Sequence, residues 1–472
     1  TLYPAKSAPS LAAGRRAPVV LGGDASNAAR YLHVIGGDDG STTAFDTVET
    51  APLSLLGVPN AFFTQRNKLK QARSFAAGVR IGRCLYVAGG PAAGAALSSV
   101  ERACVLDPEK RDLITDLVID TDKTAGVGPG IWYYRVAAVM PATDTFNPGG
   151  ENLPSDPFPV RLPDLGATKF DVNLTWQAQA GATKYRVYRS PTAGATAGTE
   201  QVIAEIAAPG TTFTDKGAAP IATAMPLAVG SLGTWQILPA TLATAREGAG
   251  AAWGVDPDDP SQAYIYVLGG RQNATTALTS IEILPITLGA GGVQTPAAAF
   301  VASTTALSAA RWQLGASRAT SDLSPRIPAG TTYVYALSGL AADGSMVSKA
   351  EAAPITTGGQ LGAFVDLGNS LNRAGYAIMV AGNFVFAFGG GNGTPDTGVV
   401  SGEICGTGVS GCGPAAKQVP PGIANWNAGQ SMQVGRVLMG GTLSGAYFYV
   451  AGGVTSAGTP PTLTNSTEYR LW

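Results

Sequence analysis

The segment CLYVAGG, residues 84–90, alternates aromatic and aliphatic residues and ends in two glycines. Similar segments occur five more times: YLHVIGG, YIYVLGG, YVYALSG, FVFAFGG and YFYVAGG, which end at Gly37, Gly270, Gly339, Gly390 and Gly453. Successive end points lie 53, 180, 69, 51 and 63 residues apart. Four spacings fit one repeated unit of roughly 40–50 residues plus loop insertions, and the spacing of 180 residues indicates a large insert.

Two further motifs accompany each copy. Upstream of the paired glycines, Leu or Met is followed by three residues and an arginine. The fifth unit has a shortened version, LNR. The six arginines of these motifs are Arg15, Arg73, Arg246, Arg311, Arg373 and Arg436. Downstream lies a second alternating segment, such as TVETAPL (47–53), SVERACVL (99–106) and STEYRLW (466–472). Several units add a third, such as GQLGAFVDL (359–367). Period-two alternation bounded by Gly and Pro predicts strands, four in each unit.

This pattern resembles the kelch family of β-propellers, in which paired glycines close the second strand of each blade. A tight turn after a buried strand needs φ > 0 or a backbone without a Cβ atom, which explains the glycines. The resemblance covers nearly all of the chain outside the insert and implies an all-β, six-bladed propeller, formed by residues 1–108 and 226–472. The departures are Ser338–Gly339 and the shortened motif at Arg373.

The two ends of the chain complement each other. STEYRLW reads as the third strand of the last blade, and LYPAKSAPSLAAGR (2–15) reads as an outer strand followed by the next inner-strand entry. The N-terminal strand is therefore expected to complete blade 6 and to close the ring, which removes exposed edges.

The insert, residues 109–225, lies in the second blade. Its segments IWYYRVAAV (131–139), DVNLTWQ (171–177), KYRVYRS (184–190) and TTFTDKG (211–217) resemble strands of a fibronectin type III module, a two-sheet sandwich. The order departs from that family because YYRVAAV comes before the TW and YRVYRS strands. One circularly permuted sandwich explains the order; two incomplete modules completed by a neighbouring subunit is the alternative.

Propeller geometry indicates where binding takes place. The insert follows the third strand of its blade, so we expect it on the face opposite the paired-glycine turns. The long connections at 256–263, 321–330 and 405–414 share that face. Elaborated loops on a rigid scaffold commonly carry binding sites.

Composition narrows the choice of function. Charged residues make up 13% of the chain and the net charge is −1, so a basic patch for nucleic acid or an anionic membrane surface is not expected. No apolar run approaches the ~20 residues of a membrane-spanning helix, so membrane insertion is not expected. The start at Thr1 rather than Met suggests a processed precursor or an earlier start that this sequence does not include.

The four cysteines form two local pairs. Cys84 and Cys104 lie on neighbouring strands of one blade, and Cys405 and Cys412 flank a six-residue loop. Two disulfides are predicted, which favours an oxidising, extracellular compartment. A zinc site is less favoured because the pairs lie on distant blades without a nearby histidine.

Catalytic signals are few. The only histidine, His33, lies on a paired-glycine strand, which excludes a multi-histidine metal centre. The six arginines could form a ring that attracts a carboxylate ligand, but repetition in every unit favours a structural role. The acidic segments GGDDG (36–40) and DPDDP (256–260) offer a weak calcium hypothesis, and turns are the favoured interpretation. Sequons occur at Asn173, Asn273, Asn392 and Asn465.

These observations lead to a functional hypothesis. We expect a secreted or surface-displayed, non-enzymatic protein for adhesion, recognition or assembly of an extracellular structure such as a filament, surface layer or phage fibre. Its partners would be proteins, identical subunits or glycans, with no cofactor. The alternative is a carbohydrate-acting enzyme of the sialate mutarotase-like kelch type, with its site at the channel mouth.

Overall fold

A computed structural model describes residues 2–472 except 24–29, 42, 93, 108–112, 124, 192–197, 392–393, 407 and 413–419. The chain is all-β, as the sequence predicts. It divides into two compact units. The sheet unit comprises Thr1–Arg102 and Trp235–Trp472, and the insert unit comprises Ala103–Thr234. The predicted start of the insert, residue 109, lies outside the described residues.

Among its described residues, the sheet unit has six antiparallel sheets of four or five strands, here numbered 1 to 6. Strands are numbered along the whole chain. Sheet 1 is β2 (Val19–Gly22), β3 (Tyr31–Ile35), β4 (Val48–Pro52) and β5 (Phe63–Thr64); sheet 2 is β6 (Ala77–Ile81), β7 (Cys84–Ala88), β10 (Ser99–Cys104) and β18 (Gln236–Thr241). Sheet 3 is β19 (Gly250–Val255), β20 (Gln262–Leu268), β23 (Ile281–Leu288) and β24 (Gln294–Pro296), with β25 (Val301–Ala302) also paired to β23.

The remaining three sheets repeat this path. Sheet 4 is β26 (Gly315–Thr320), β27 (Thr332–Leu337), β28 (Ala350–Pro354) and β29 (Val365–Asp366); sheet 5 is β30 (Ala377–Ala381), β31 (Phe384–Phe388), β32 (Val399–Ile404) and β33 (Ile423–Ala428). Sheet 6 is β34 (Gly440–Ser444), β35 (Tyr447–Ala451), β38 (Thr467–Leu471) and β1 (Lys6–Ala8). Short hairpins add β8 (Pro91–Ala92) with β9 (Ala95–Ala96), β21 (Arg271–Asn273) with β22 (Thr276–Ala277), and β36 (Val454–Ser456) with β37 (Thr462–Leu463). Among the described residues, 3-10 turns span Ala290–Gly292 and Thr357–Gly359.

The N-terminal strand forms the outer edge of the last sheet, which confirms the predicted pairing. Lys6 lies opposite Tyr469 and Ala8 lies opposite Thr467. The first and last segments of the chain therefore share one sheet.

The apolar core lies between successive sheets. Tyr266 of sheet 3, for example, clusters with Val334 and Ala353 of sheet 4, and Phe388 of sheet 5 clusters with Phe448 of sheet 6. The second strands β3 and β7 are buried along their whole length, because neighbours cover both of their faces. This explains why the second strands read as nearly continuous hydrophobic runs.

The first strands of the sheets pack on one another in chain order. β2 packs against β6, β6 against β19, β19 against β26, β26 against β30, β30 against β34, and β34 against β2. Among the described residues, no strand pairing joins the six sheets into a single barrel. Side-chain packing and loop hydrogen bonds connect them instead.

In the described part of the insert unit, seven strands form two sheets. One sheet has the order β11 (Ile114–Lys123), β14 (Lys169–Trp176), β17 (Thr212–Asp215), and the other has the order β13 (Phe158–Leu162), β12 (Gly130–Val139), β15 (Lys184–Arg189), β16 (Gln201–Ala207). Trp132, Tyr134, Phe170, Trp176 and Tyr185 belong to one buried cluster that draws on both sheets. A single shared core is the arrangement expected of one sandwich rather than of two incomplete modules.

Candidate functional site

Each repeated arginine forms an ion pair with an acidic side chain of its own sheet. The pairs are Arg15–Glu49, Arg73–Glu101, Arg246–Glu282, Arg311–Glu351, Arg373–Asp396 and Arg436–Glu468. In sheet 2 the Arg73 Nη2 atom lies 2.7 Å from Glu101 Oε1, and both side chains are at most 1% exposed. Burial lowers the pKa of Arg73, and the charge of Glu101 opposes that shift. Five of the six guanidinium groups are thus buried against glutamate rather than presented to a ligand.

The same glutamates also hold the segment that precedes each arginine. Glu101 accepts hydrogen bonds from the main-chain N–H groups of Lys70 and Gln71, at 2.6 and 3.0 Å. Glu468 accepts equivalent bonds from Gln433 and Val434. A carboxylate buried without such partners would be costly, so the glutamate, the arginine and the loop stabilise each other.

The main chain of each arginine links its sheet to the preceding one. The second glycine of each hairpin donates its N–H to the carbonyl oxygen of the next arginine, as from Gly37 to Arg73 and from Gly453 to Arg15. In sheet 4 the hydroxyl of Ser338 donates to the Arg373 carbonyl instead, at 2.6 Å. The arginine side chain therefore acts within its own sheet, and the link to the neighbouring sheet comes from the backbone.

A second set of links involves the residue two positions after each arginine. These turn residues, Ala17, Phe75, Gly248, Gln313, Gly375 and Leu438, all have left-handed φ angles between 47° and 60°. Each donates its main-chain N–H to the carbonyl oxygen of the turn residue in the preceding sheet. For Ala17 of sheet 1, that acceptor is Leu438 of sheet 6. The six donor–acceptor distances run from 2.6 to 3.2 Å. The six bonds therefore form a cycle.

Sheet 5 departs from the pattern. In sheet 1 the glutamate that pairs with the repeated arginine, Glu49, lies opposite Val34. At the equivalent position of sheet 5, Val400 lies opposite Ala387, so the glutamate is replaced by valine. Arg373 consequently pairs with Asp396 at 2.8 Å, and these two side chains are 15% and 42% exposed. The ion pair of sheet 5 is thus more open to solvent than those of the other five sheets.

All four cysteines are disulfide-bonded. The predicted bridge Cys405–Cys412 is confirmed, with Cα atoms 5.8 Å apart. Cys84 and Cys104, on the neighbouring strands β7 and β10, are also disulfide-bonded. No described cysteine is free.

The acidic segments form hydrogen-bonded turns. Asp38 pairs with Arg16 at 2.7 Å and accepts the N–H of Gly40. Asp256 accepts the N–H groups of Asp258 and Gly358. The part of the chain that the structure describes contains no group of three or more His, Cys, Asp or Glu residues placed to hold a metal ion.

His33 is fully buried in sheet 1. Its Nδ1 atom lies 2.9 Å from Thr50 Oγ1, and its Nε2 atom has no hydrogen-bond partner among the residues that the structure describes. Burial, together with the nearby charge of Arg80, lowers the pKa of His33 to about 3. The ring is therefore neutral at neutral pH and is shielded from any external substrate.

A cavity of about 510 Å³ lies among the first strands of all six sheets. It is here called the inner-strand cavity. The residues that line it include Gly22, Arg80, Trp253, Arg318, Val380 and Leu443. These six residues each follow a repeated arginine by seven positions. They lie in the later half of the first strands, so the cavity and the arginine–glutamate pairs occupy opposite ends of these strands.

Two features of the site were not predicted. Glutamate recurs at the third position of the downstream segment in five units, as in TVE and SVE, and this signal could have identified the partners of the arginines. The cavity-lining position differs in nearly every unit and has no repeating signal. It becomes visible only when the six first strands are brought together.

No protein-family model matches the chain, and no curated protein is significantly similar to it.

Proposed function

We propose that this chain is a non-enzymatic binding or assembly protein that is displayed outside the cytoplasm. In this proposal the six sheets are the blades of a kelch-type propeller that serves as a rigid head. The insert unit is a fibronectin type III-like sandwich that makes the principal contact with identical subunits.

Four relationships support the propeller. The six sheets follow one strand path, their first strands pack in cyclic order, and the turn residues are hydrogen-bonded from sheet to sheet. The N-terminal strand lies on the last sheet, as the proposed ring closure requires.

The pairing inside the insert unit supports a permuted sandwich. β12, which carries YYRVAAV, pairs with β15, which carries YRVYR, from Tyr134 opposite Arg189 to Val139 opposite Lys184. A single sandwich with permuted strand order requires this pairing.

The distribution of exposed apolar side chains carries the binding proposal. Of the 17 large hydrophobic residues that are exposed among the described residues, nine lie in the insert unit. They include Val118 and Ile119 on β11, which are 50% and 37% exposed. β11 is a ten-residue strand at the edge of its sheet, and an exposed edge strand of this length can add a strand from a second chain.

The remaining observations support the compartment and the non-enzymatic role. Disulfides persist in oxidising compartments outside the cytoplasm, and both cysteine pairs are oxidised. The repeated arginines and glutamates pair with each other inside the sheets, so a structural role explains them without a catalytic one. Within the described residues, no helix has the length and apolarity needed to cross a membrane.

Deletion of the insert tests the proposal. Residues 108–226 are removed and Asp107 is joined to Leu227. Leu106 and Leu227 belong to one buried cluster, and Val105 bridges Leu232, so the two ends lie close together. The full chain should form multimers in negative-stain images and in mass photometry, whereas the deletion variant should be a folded monomer.

Paired surface substitutions provide a matched control. Val118→Lys with Ile119→Lys should abolish assembly, because two charges would enter the proposed contact. Ile237→Lys with Val301→Lys changes residues of the sheet unit with similar exposure, 46% and 48%, and should not affect assembly. Assembly that survives both the deletion and the β11 substitutions would contradict the proposal.

A further inference from the structure

Among the described residues, the two most exposed large hydrophobic side chains are neighbours in the chain. Leu55 is 85% exposed and Leu56 is 73% exposed. They lie in the connection between β4 and β5, the third and fourth strands of sheet 1. Single exposed hydrophobic residues are normal on a protein surface, whereas clusters of them mark contacts with other molecules.

The two leucines occupy the central positions of a tight turn. Gly57 donates its N–H to the Ser54 carbonyl oxygen, and Ser54 donates its N–H to the Val58 carbonyl oxygen, both at 2.9 Å. The central positions of such turns usually hold Pro, Asn, Asp, Ser or Gly, which favour the required dihedral angles or bond to the turn backbone. Leucine does neither, so formation of the turn does not explain the choice of these two residues.

Sheet 6 holds the leucine turn in place. The Tyr449 hydroxyl donates to the Gly57 carbonyl oxygen at 2.6 Å. The Tyr447 ring covers Gly57 so closely that a Cβ atom there would lie 2.3 Å from a ring carbon. The Ser54 hydroxyl also accepts the N–H of Val58 at 3.0 Å. A turn that is fixed before binding loses little conformational entropy on binding, which favours a contact made by few residues.

Exposed aromatic side chains continue from this turn into sheets 6 and 5. Trp472 follows β38 and is 43% exposed, and its N–H bonds to the carbonyl oxygen of Ala446, one residue before Tyr447. Its ring packs on Gly382, where an added Cβ atom would lie 2.7 Å from the ring. Gly382 lies in the turn that leads into β31, whose first residue, Phe384, is 36% exposed. Contacts thus connect the leucine turn to two exposed rings.

The chemistry of the leucine turn favours a lipid surface as its partner. Residues 50–65 contain no Asp, Glu, Lys or Arg. A protein interface normally surrounds its apolar anchors with a polar, hydrogen-bonding rim, whereas a bilayer takes up aliphatic side chains, excludes charge and concentrates tryptophan at its boundary with water. Leucines at the tip of the turn and Trp472 beside them match that order.

We propose that the turn of Leu55 and Leu56 inserts into the surface of a lipid bilayer with little net charge. The two leucine side chains enter the apolar boundary of the bilayer, and Trp472 lies beside them at the level of the headgroups. The contact is peripheral and holds the sheet unit at the lipid surface. It depends neither on the insert nor on the assembly proposed above.

Flotation of the full chain with vesicles tests the proposal. The chain should float with vesicles of pure phosphatidylcholine, and binding should persist at high salt because it does not involve charge pairing. A chain that does not float with phosphatidylcholine vesicles overturns the proposal. Binding that requires anionic phosphatidylserine and disappears at high salt overturns it as well, because it would indicate a charged site.

Paired substitutions locate the contact. Leu55→Ser with Leu56→Ser introduces a residue that turns commonly hold, so the variant should keep the thermal midpoint of the parent. Its partition onto phosphatidylcholine vesicles should fall at least about tenfold, because two buried leucines are lost. Ile237→Ser with Val301→Ser is the matched control, since these residues of sheets 2 and 3 are 46% and 48% exposed, and it should bind like the parent. Equal binding by the parent and the leucine variant contradicts the proposal.

A fluorescent label reports on the surroundings of the turn. All four cysteines are disulfide-bonded, so a cysteine introduced by Leu56→Cys can be labelled selectively with a polarity-sensitive dye. Its emission should shift to the blue when phosphatidylcholine vesicles are added, whereas the same label on Ile237→Cys should not respond. Unchanged emission at Leu56→Cys overturns the proposal. A blue shift that appears without vesicles and grows with protein concentration would identify a second copy as the partner and would also overturn it.

Discussion

Ala17 donates its main-chain N–H to the carbonyl oxygen of Leu438 at 2.7 Å, and this bond joins sheet 1 to sheet 6. The two residues are 421 positions apart in the chain. Both have left-handed φ angles, 48° and 57°, which are unfavourable for residues with a Cβ atom. The bond thus compensates for a local backbone cost by connecting the first sheet to the last.

Substitution of Ala17 tests the importance of this link. Ala17→Pro removes the N–H donor and cannot adopt the left-handed φ, so it should lower the free energy of unfolding by more than about 1 kcal/mol. Ala17→Gly keeps the donor and accepts the φ angle, so its stability should stay within about 1 kcal/mol of the parent. Differential scanning calorimetry gives the comparison, and equal stability of the two variants would contradict it.

Two glycines in the connection between β7 and β10 allow backbone strain to be distinguished from steric contact. Gly90 and Gly94 both have φ of +84°. A Cβ atom on Gly90 would lie 2.2 Å from the Ser74 carbonyl oxygen, whereas at Gly94 no atom of the described residues, apart from its chain neighbours, would lie within 4 Å. Gly94→Ala should cost about 1–2 kcal/mol from the φ angle alone. Gly90→Ala should cost about 1–3 kcal/mol more, because the carbonyl must move. Urea unfolding measures both, and equal costs would show that the contact can relax freely.

The buried ion pair of sheet 2 should contribute more to stability than the exposed pair of sheet 5. Glu101→Gln leaves the buried Arg73 charge without its counter-ion and should lower the free energy of unfolding by about 3–5 kcal/mol. Asp396→Asn makes the same isosteric change in an exposed pair and should cost about 1 kcal/mol or less. The measurement is the thermal midpoint of each variant. The interpretation fails if Asp396→Asn is the more damaging change.

His33 should make stability depend on pH. Its pKa is lowered to about 3 in the folded chain, against about 6.5 when exposed, so the unfolded chain binds more protons between these values. Stability therefore rises with pH across this window and falls on acidification. Between pH 7 and pH 5, His33 should account for a loss of about 2 kcal/mol.

A variant without the imidazole isolates this contribution. Between pH 7 and pH 5, the free energy of unfolding of His33→Leu should fall by about 2 kcal/mol less than that of the parent chain. Equilibrium unfolding at pH 7, 6 and 5 gives the two slopes. Parallel slopes would show that folding does not lower the pKa of His33.

The structural elements that could be predicted are those that depend on residues close together in the sequence. Alternation and paired glycines predicted the second strands, and short spacing predicted the Cys405–Cys412 bridge. The left-handed angles of Phe75 and Gln313 carry no local signal, because hydrogen bonds from other sheets impose them. The meeting of Arg80, Trp253 and Arg318 in the lining of one cavity depends likewise on strands that are far apart in sequence.

The departure of sheet 5 has a dynamic consequence. Val400 replaces the glutamate there, Ser338 replaces a hairpin glycine at the junction with sheet 4, and the Arg373–Asp396 pair is open to solvent. Local opening begins where buried contacts are fewest. Amide hydrogens around this junction should therefore exchange with deuterium before those of the other five junctions, and mechanical extension of the chain should rupture the sheet unit there first.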